Sequence, residues 1–220
     1  MSLFGLCEMN ILSFETNFGK CSVALFKGER IFYTESEQQF MQSEELVPLI
    51  VSLAKDTGIN LAKDIDFIAC TIGPGSFTGI RIGIATARGM RKASKHIRLI
   101  GISTLEALVY SAKDSVDGLD NYNAIVSVVD AHGGQLYMQK FDRFVHPLSE
   151  IFVVSREEFI ASIKSDEFVV GDIEMSECYK ISIDAKLVGE IAKKIIKNDK
   201  NRNDELNPVY VKNPSVTLKK

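Results

Sequence analysis

The stretch TIGPGSFTGIRIGIATARGMRKA, residues 71–93, determines how the chain is organised. It begins at the end of an apolar run and continues through two glycines that flank Pro74. Gly73 and Gly75 permit positive φ angles, and Pro74 fixes one backbone angle. Ser76 can accept a hydrogen bond from the free N–H groups that begin a helix. The stretch therefore predicts a strand, a tight turn and a helix from about residue 77 to 95.

The helix predicted after this turn has two different faces. At about 3.6 residues per turn, one face carries small and apolar residues: Gly79, Gly83, Thr86, Ala87, Met90 and Ser94. The opposite face carries Arg81, Arg88, Arg91, Lys92 and Lys95. Since glycine in a helix interior costs about 1 kcal/mol relative to alanine, the glycines indicate that another backbone approaches closely. Spacing alone leaves open whether that backbone belongs to this chain or to a partner.

The rest of the sequence predicts an α/β chain in two parts. Short runs rich in β-branched and aromatic residues open each part, and helices with apolar residues at helical spacing follow them. Strands are expected at 9–15, 21–27, 28–36, 66–73, 96–103, 123–131, 133–144, 150–155 and 168–172. The polar stretch 114–122 predicts the loop between the two parts.

Capping residues predict where several helices begin and end. Ser43 precedes an amphipathic pattern that stops before Gly58. Ser103 stands three residues before Glu106, which is the spacing of a capping box. The last helix is expected over 184–198.

The composition indicates a globular protein rather than a disordered or membrane-spanning one. The chain has 220 residues, of which 45% are hydrophobic and 25% charged, and its net charge is −3. We find no apolar run long enough to span a membrane and no leader pattern, so a soluble cytoplasmic protein is expected. The cysteines are widely spaced and are predicted to be buried free thiols: Cys7, Cys21, Cys70 and Cys178.

The sequence offers few groups for chemistry, and no catalytic or metal-binding residue is predicted. The three histidines, His96, His132 and His146, do not form a zinc-binding pattern. Candidates for a nucleotide or anion site are Glu15, Thr16, Ser76 and Asp130. Each has a simpler interpretation: a solvated carboxylate at Glu15, a turn capped by Asp130, and a helix N-terminus satisfied by Ser76 alone.

Several segments together resemble the bacterial TsaB (YeaZ) family, in the same order from residue 10 to 213. They are ILSFETNFGKCSVALF (11–26), QSEELVPLI (42–50), GPGSFTGIRIGIATARG (73–89), VVDAHGGQLY (128–137) and NPVYVKN (207–213). The most specific is the motif formed by Gly73, Pro74, Gly75, Ser76, Phe77, Thr78, Gly79 and Arg81.

The resemblance implies a fold. It implies an α/β protein with the two-lobed actin-like ATPase fold, shared by sugar kinases, heat-shock ATPases and actin, in a degenerate and compact form. The first lobe, residues 1–103, would carry the partner surface. The second lobe, residues 104–220, would send its last segment back onto the first.

The resemblance also implies a function. Proteins of this family are non-catalytic scaffolds that dimerise with TsaD, the transferase that adds threonylcarbamoyl to the adenosine beside the anticodon, and help to recruit the ATPase TsaE. The chain would have no cofactor of its own, because ATP and metal would belong to the partner subunits, and it would meet tRNA only through the complex. A homodimer of the free chain is compatible with this role.

Two departures from the family pattern bear on this interpretation. Gln42 stands where family members often place a histidine, and Glu15 stands where they have aspartate. Both weaken the rival hypotheses, which are an independent phosphotransferase or ATPase using Glu15, Asp130 and the 73–76 turn, and a metallopeptidase.

The resemblance places the partner surface on two helices. Its residues would be Gly79, Gly83, Thr86, Ala87, Met90, Leu46, Leu49 and Leu53. If so, Gly83→Leu would disrupt association and leave the protein folded.

Overall fold

The computed structural model describes residues 9–199 and 201–211. Within these ranges the strands are β1 Asn10–Glu15, β2 Ser22–Lys27, β3 Arg30–Glu35, β4 Phe67–Thr71, β5 Arg98–Ile102, β6 Ala124–His132, β7 Gln135–Phe141, β8 Phe152–Ser155, β9 Glu167–Gly171 and β10 Tyr179–Lys180. The α-helices are α1 Gln42–Thr57, α2 Phe77–Ala93, α3 Thr104–Ser115, α4 Arg156–Ser162 and α5 Ala185–Asn198. Cys7 and the end of the NPVYVKN segment lie outside the described residues.

The two five-stranded sheets repeat one strand order. The first sheet runs β3-β2-β1-β4-β5, and the second runs β8-β7-β6-β9-β10. In each sheet, the three strands that come first in the sequence pair antiparallel. The remaining two strands run parallel to the first of these, β1 in one sheet and β6 in the other. The second half of the chain thus repeats the first, as the sequence pattern predicts. β10 was not predicted, because two residues are too short to show a period-2 pattern.

The sheets and helices stack in layers. Helices α1 and α2 cover the outer face of the first sheet, where Leu12, Phe14 and Ile84 share one apolar core. Helix α5 packs on the inner face of that sheet, and α3 packs on the second sheet and on α5. Helix α4 closes the outer face of the second sheet with the fully buried Phe159. The central core of α3 and α5 therefore joins the two halves.

The turn before α2 is formed as the sequence predicts. The φ angles of Gly73 and Gly75 are +99° and +146°, which L-residues with a side chain rarely adopt. Ser76 is the N-cap of α2, and its Oγ accepts a hydrogen bond from the N–H of Gly79 (3.2 Å). This cap is confirmed.

The small face of α2 packs against this chain's own strand β1. A Cβ atom added at Gly79 would lie 2.0 Å from the carbonyl oxygen of Thr16, and one added at Gly83 would lie 2.8 Å from Thr16 Oγ1. Ala87 is fully buried beside them. The backbone that packs closely against these glycines is therefore the end of β1 in the same chain.

This packing corrects the partner surface taken from the resemblance. Gly79, Gly83 and Ala87 are buried against β1, and the α1 residues Leu46 and Leu53 are buried in the same core, so these five do not form an exposed surface on the two helices. Because Gly83 is internal, Gly83→Leu is now expected to destabilise the fold rather than to leave the protein folded. Leu49, Thr86 and Met90 are only half-buried.

The predicted cap at Ser43 is wrong, and the predicted N-cap at Ser103 is confirmed in position but not as a capping box. Helix α1 begins one residue before Ser43, and the Ser43 hydroxyl bonds to the side chain of Glu44 rather than to the backbone. Ser103 is the N-cap of α3, but its Oγ is buried without a hydrogen-bond partner in the described residues, so no capping box with Glu106 forms. The predicted C-cap at Gly58 is confirmed, because its φ of 68° is left-handed.

The last described segment covers the edge strand β5. The Oδ2 atom of Asp204 accepts from the N–H of Gly101 (2.9 Å), and its own N–H donates to the carbonyl of Leu99 (2.8 Å). Leu206 is buried in the core between the first sheet, α1 and α2. Backbone N–H and C=O groups of β5 that could otherwise pair with a strand of another molecule are thus hydrogen-bonded within the chain.

The described cysteines are buried free thiols, as predicted. Burial raises the pKa of Cys21 and Cys178 to about 12, and it raises the pKa of Cys70 as well. A thiol in this state is a weak nucleophile at neutral pH.

A pair of glycine substitutions on α2 tests the close approach to β1. Gly79→Ala would place a methyl group against the Thr16 carbonyl and should lower the free energy of unfolding by about 1–3 kcal/mol. Gly89 is exposed, with no atom within 4 Å of an added Cβ, so Gly89→Ala should raise stability by up to about 1 kcal/mol through helix propensity. Urea denaturation of both variants and of the wild type measures the change in the free energy of unfolding at each position. Equal effects at the two positions would contradict the packing.

Candidate functional site

A cleft of about 730 Å³ lies between the two halves of the chain. Ser76 and Gly79 from the start of α2 line one wall, and Asp130 at the end of β6 lines the other. The structure therefore brings two of the candidate nucleotide-site residues, Ser76 and Asp130, to one cleft. Glu15 and Thr16 are each only 1% exposed and lie behind its wall.

Asn17 holds this wall together, and the sequence did not point to it. Its Oδ1 accepts from the N–H of Ser76 (2.6 Å), while its Nδ2 donates to the Pro74 carbonyl (3.2 Å) and to Thr104 Oγ1 (3.0 Å). One side chain thus joins the end of β1, the 73–76 turn and the start of α3. The sequence gives no indication of this role for Asn17, because its three hydrogen-bond partners lie more than fifty positions away along the chain.

Two of the N–H groups at the N-terminus of α2 have side-chain partners within the chain. Asn17 Oδ1 takes the N–H of Ser76, and Ser76 Oγ takes the N–H of Gly79. A helix N-terminus attracts anions because such N–H groups lack partners. These contacts agree with the simpler interpretation from the sequence, in which protein side chains accept hydrogen bonds from this helix start. That interpretation named Ser76 alone, whereas Asn17 also accepts one.

Glu15 is a buried carboxyl group, which contradicts the simpler interpretation of a solvated one. Burial raises its pKa from 4.5 to about 7, and the nearby Asp184 acts in the same direction. The Thr71 hydroxyl and the N–H groups of Asn17 and Thr16 oppose the shift. Glu15 Oε2 nevertheless has no hydrogen bond of good geometry within the described residues.

Thr16 and Asp130 serve their own turns. Thr16 Oγ1 donates to the Gly79 carbonyl (2.8 Å), so this hydroxyl fastens α2 to β1. Asp130 Oδ1 accepts from the N–H of His132 (2.9 Å), as expected of a residue that caps a turn. Its carboxylate remains partly exposed to the cleft.

The second half adds two charged residues to the cleft that the sequence did not single out. Burial raises the pKa of Asp172, and the ammonium group of Lys180 opposes that shift. Both residues line the cleft with Asp130. Because β9 and β10 are parallel neighbours, Asp172 and Lys180 reach the cleft from the ends of adjacent strands.

Gln42, where the resemblance led us to expect a histidine, lies at the edge of the same cleft. Its Nε2 donates to the carbonyl of Gly19 (2.8 Å), and only 7% of the residue is exposed. The amide therefore ties the start of α1 to the turn after β1. In the described part of the chain, no three His, Cys, Asp or Glu residues come together in an arrangement that could hold a metal ion.

The exposed part of the family motif forms a separate cluster. The Arg81 guanidinium lies 3.6 Å from the centroid of the Phe77 ring, and its Nε donates to the Tyr210 hydroxyl (2.8 Å). Two segments of the resemblance that are far apart in sequence, 73–89 and 207–213, thus meet on the surface of α2.

An apolar groove of about 190 Å³ runs between α1 and α2. Val47 and Val51 line it from α1 and are 52% and 53% exposed. Thr86 and Met90 line it from α2. Two of the residues in the predicted partner surface therefore lie on an accessible apolar surface, which we call the α1–α2 groove. Its exposed valines were missing from the prediction.

The fold places the protein in the class of two-lobed actin-like ATPase folds, as predicted. Its two sheets carry the repeated strand order of that class, and the cleft between them lies where strand ends from both lobes meet. A family model described as TsaD, tRNA N6-adenosine threonylcarbamoyltransferase, matches residues 39–162. The chain belongs to this family, and within it to the TsaB (YeaZ) group that the sequence resembles.

Curated relatives and a solved structure agree with this assignment. The tRNA threonylcarbamoyladenosine biosynthesis protein TsaB of Buchnera aphidicola subsp. Schizaphis graminum is 32% identical over 60% of this chain, and that of Escherichia coli is 29% identical over 61%. The matches span 60% and 56% of those relatives' own lengths. YeaZ from Pseudomonas aeruginosa superposes with a TM-score of 0.74, covering 92% of this chain and 100% of that one at 20% identity, which shows a shared fold. Within the described ranges, none of the helices combines the length and the apolar composition that a membrane-spanning segment requires.

Replacing Glu15 by glutamine tests the buried carboxyl group. Because its pKa is raised from 4.5 to about 7 in the folded protein, the folded state binds more protons than the unfolded chain between these values. Stability from this group is therefore present at low pH and is lost as pH rises towards 7. The free energy of unfolding should fall by up to about 3 kcal/mol between pH 5 and 8.

Urea denaturation at both pH values measures this effect. Glu15→Gln should remove most of the dependence, whereas Glu44→Gln, at an exposed carboxylate of α1, should leave it unchanged. A Glu15→Gln protein that keeps the wild-type dependence would show that the carboxyl group is not responsible.

Proposed function

We propose that this protein is a non-catalytic scaffold subunit in tRNA N6-threonylcarbamoyladenosine synthesis. It acts in the cytoplasm, dimerises with a TsaD-like transferase and helps to recruit a TsaE-like ATPase. Family membership and the names of the relatives support the pathway. The observation that carries the scaffold role is the α1–α2 groove, an exposed apolar surface on a chain of this family.

The internal contacts of α2 support a non-catalytic role. In a nucleotide-binding protein a helix N-terminus facing a cleft keeps its N–H groups for phosphate. Here Asn17 and Ser76 accept two of those hydrogen bonds. Thr16 is also engaged, since its hydroxyl donates to α2. ATP and metal ions are accordingly assigned to the partner subunits.

The α1–α2 groove fits a helical partner. Val47 and Val51 lie four positions apart on α1 and face the same side of the helix. Met90 supplies a flexible apolar side chain from α2, of the kind that adapts to partner surfaces. A partner related to this chain would offer corresponding helices, so a heterodimer would bury both grooves against each other. The free chain could pair with itself in the same way.

A charge placed in the groove tests the docking surface. Val51→Asp should weaken association with the TsaD-like protein of the same organism by at least about tenfold, because an unpaired carboxylate would be buried in an apolar interface. Ile160→Asp is the control, since Ile160 lies on α4 and is exposed to a similar degree, 48% against 53% for Val51.

Size-exclusion chromatography and calorimetry of the mixed proteins give the measurement, and circular dichroism verifies that both variants are folded. Wild-type protein that fails to associate with the TsaD-like protein at micromolar concentration would overturn the scaffold role. Calorimetry with ATP and magnesium adds a second criterion. Micromolar ATP binding that is lost in Asp130→Ala would favour an enzyme instead.

A further inference from the structure

All the charged Lys, Arg, Asp and Glu residues in one continuous stretch of the first half of the chain are basic. Residues 67–105 contain six Lys or Arg residues and no Asp or Glu, although the whole chain has a net charge of −3. The six are Arg81, Arg88, Arg91, Lys92, Lys95 and Arg98. A local concentration of one sign in a weakly acidic protein indicates an anionic partner for that region.

Four of these cations converge on one cleft of about 580 Å³. Arg88, Arg91, Lys92 and Lys95 line it from the end of α2 and the residues that follow, with Leu99 and Glu205 completing the wall. We call this concave surface the basic cleft. Basic residues near a helix C-terminus also interact favourably with the helix dipole, but that effect does not require a concave arrangement or a cation beyond the helix end at Lys95.

The cations of the basic cleft are available to a ligand. Arg88 is held in place because its Nη2 donates to the Glu205 carbonyl (2.8 Å) and to Asn207 Oδ1 (3.1 Å). In the described ranges, Arg91, Lys92 and Lys95 form no ion pair with an acidic residue. The cleft thus combines one fixed guanidinium with three uncommitted cations.

We propose that the basic cleft binds the phosphodiester backbone of RNA. The choice of RNA rests on the proposed function, which makes a tRNA the substrate of the complex. The inference extends that function, because it gives this chain a direct contact with the substrate.

The geometry favours a run of phosphates over a single phosphate group. Positions 88 to 92 span about 6 Å along the axis of α2 at 1.5 Å per residue, and Lys95 lies beyond the helix end, so the row of cations is longer than one phosphate group. Among the described residues that line the cleft, Leu99 is the one apolar residue and none is aromatic. Stacking on bases would need aromatic side chains. The contact is therefore independent of base sequence and serves to position the RNA.

The basic cleft lies beside the α1–α2 groove. Met90, Ala93 and Ser94 line the groove, while Arg91 and Lys92 line the cleft, so the last turns of α2 contribute to both. A transferase docked in the groove would stand next to RNA held in the cleft. This adjacency gives the scaffold a way to present substrate to its partner.

A triple substitution tests the cleft: Arg91→Gln, Lys92→Gln and Lys95→Gln in one protein. The matched control removes one exposed arginine and two exposed lysines from other elements, through Arg143→Gln, Lys164→Gln and Lys197→Gln. Fluorescence anisotropy with an unmodified tRNA transcript is measured at several salt concentrations. It is measured both for the chain alone and for its complex with the TsaD-like subunit.

The cleft variant should bind the transcript at least about tenfold more weakly, and the slope of log affinity against log salt should fall by about one for each cation removed. The control should change the affinity by less than about twofold. Equal losses in both variants, or no loss in the cleft variant, would overturn the proposal.

The outcome separates this inference from the scaffold role. A cleft variant that still associates with the TsaD-like subunit but loses RNA binding supports both. If no complex forms and the chain alone still binds RNA through these residues, the scaffold role fails while the basic cleft stands.

Discussion

The contact of α2 with the end of β1 constrains the rest of the structure. The carbonyl of Thr16 lies so close to Gly79 that an added Cβ would be 2.0 Å away, and the Thr16 hydroxyl donates to the Gly79 carbonyl. Asn17 then fixes the 73–76 turn and the start of α3. Because this contact uses the glycine face of α2 internally, partner binding is proposed on other faces of the helix, at the α1–α2 groove and the basic cleft.

Local patterns predicted the elements well and the tertiary contacts poorly. The 71–93 stretch predicted its strand, turn, cap and helix because the φ angles of Gly73 and Gly75 and the Ser76 cap depend on neighbouring residues. Glycine spacing revealed that a backbone approaches α2, but it carries no information about which backbone. The choice between this chain and a partner depends on where Thr16 lies in space.

The candidate site illustrates the same limit. A glutamate that ends a strand has the same sequence signature whether it is solvated or buried, and the covering elements that raise the pKa of Glu15 come from distant parts of the chain. Asn17 has no signature, since its three partners are non-local. Cap residues fail similarly: Ser103 has the right neighbour at Glu106, yet its hydroxyl is buried without a partner in the described residues.

Hydrogen exchange of the backbone amides, with and without the TsaD-like subunit, measures directly which surface of this chain meets the partner. Peptides from α1 and the C-terminal half of α2 should exchange more slowly in the complex, because the α1–α2 groove becomes covered. Peptides from the second sheet should be unchanged. Protection confined to the cleft between the lobes, or no protection at α1 and α2, would contradict a scaffold that docks through the groove.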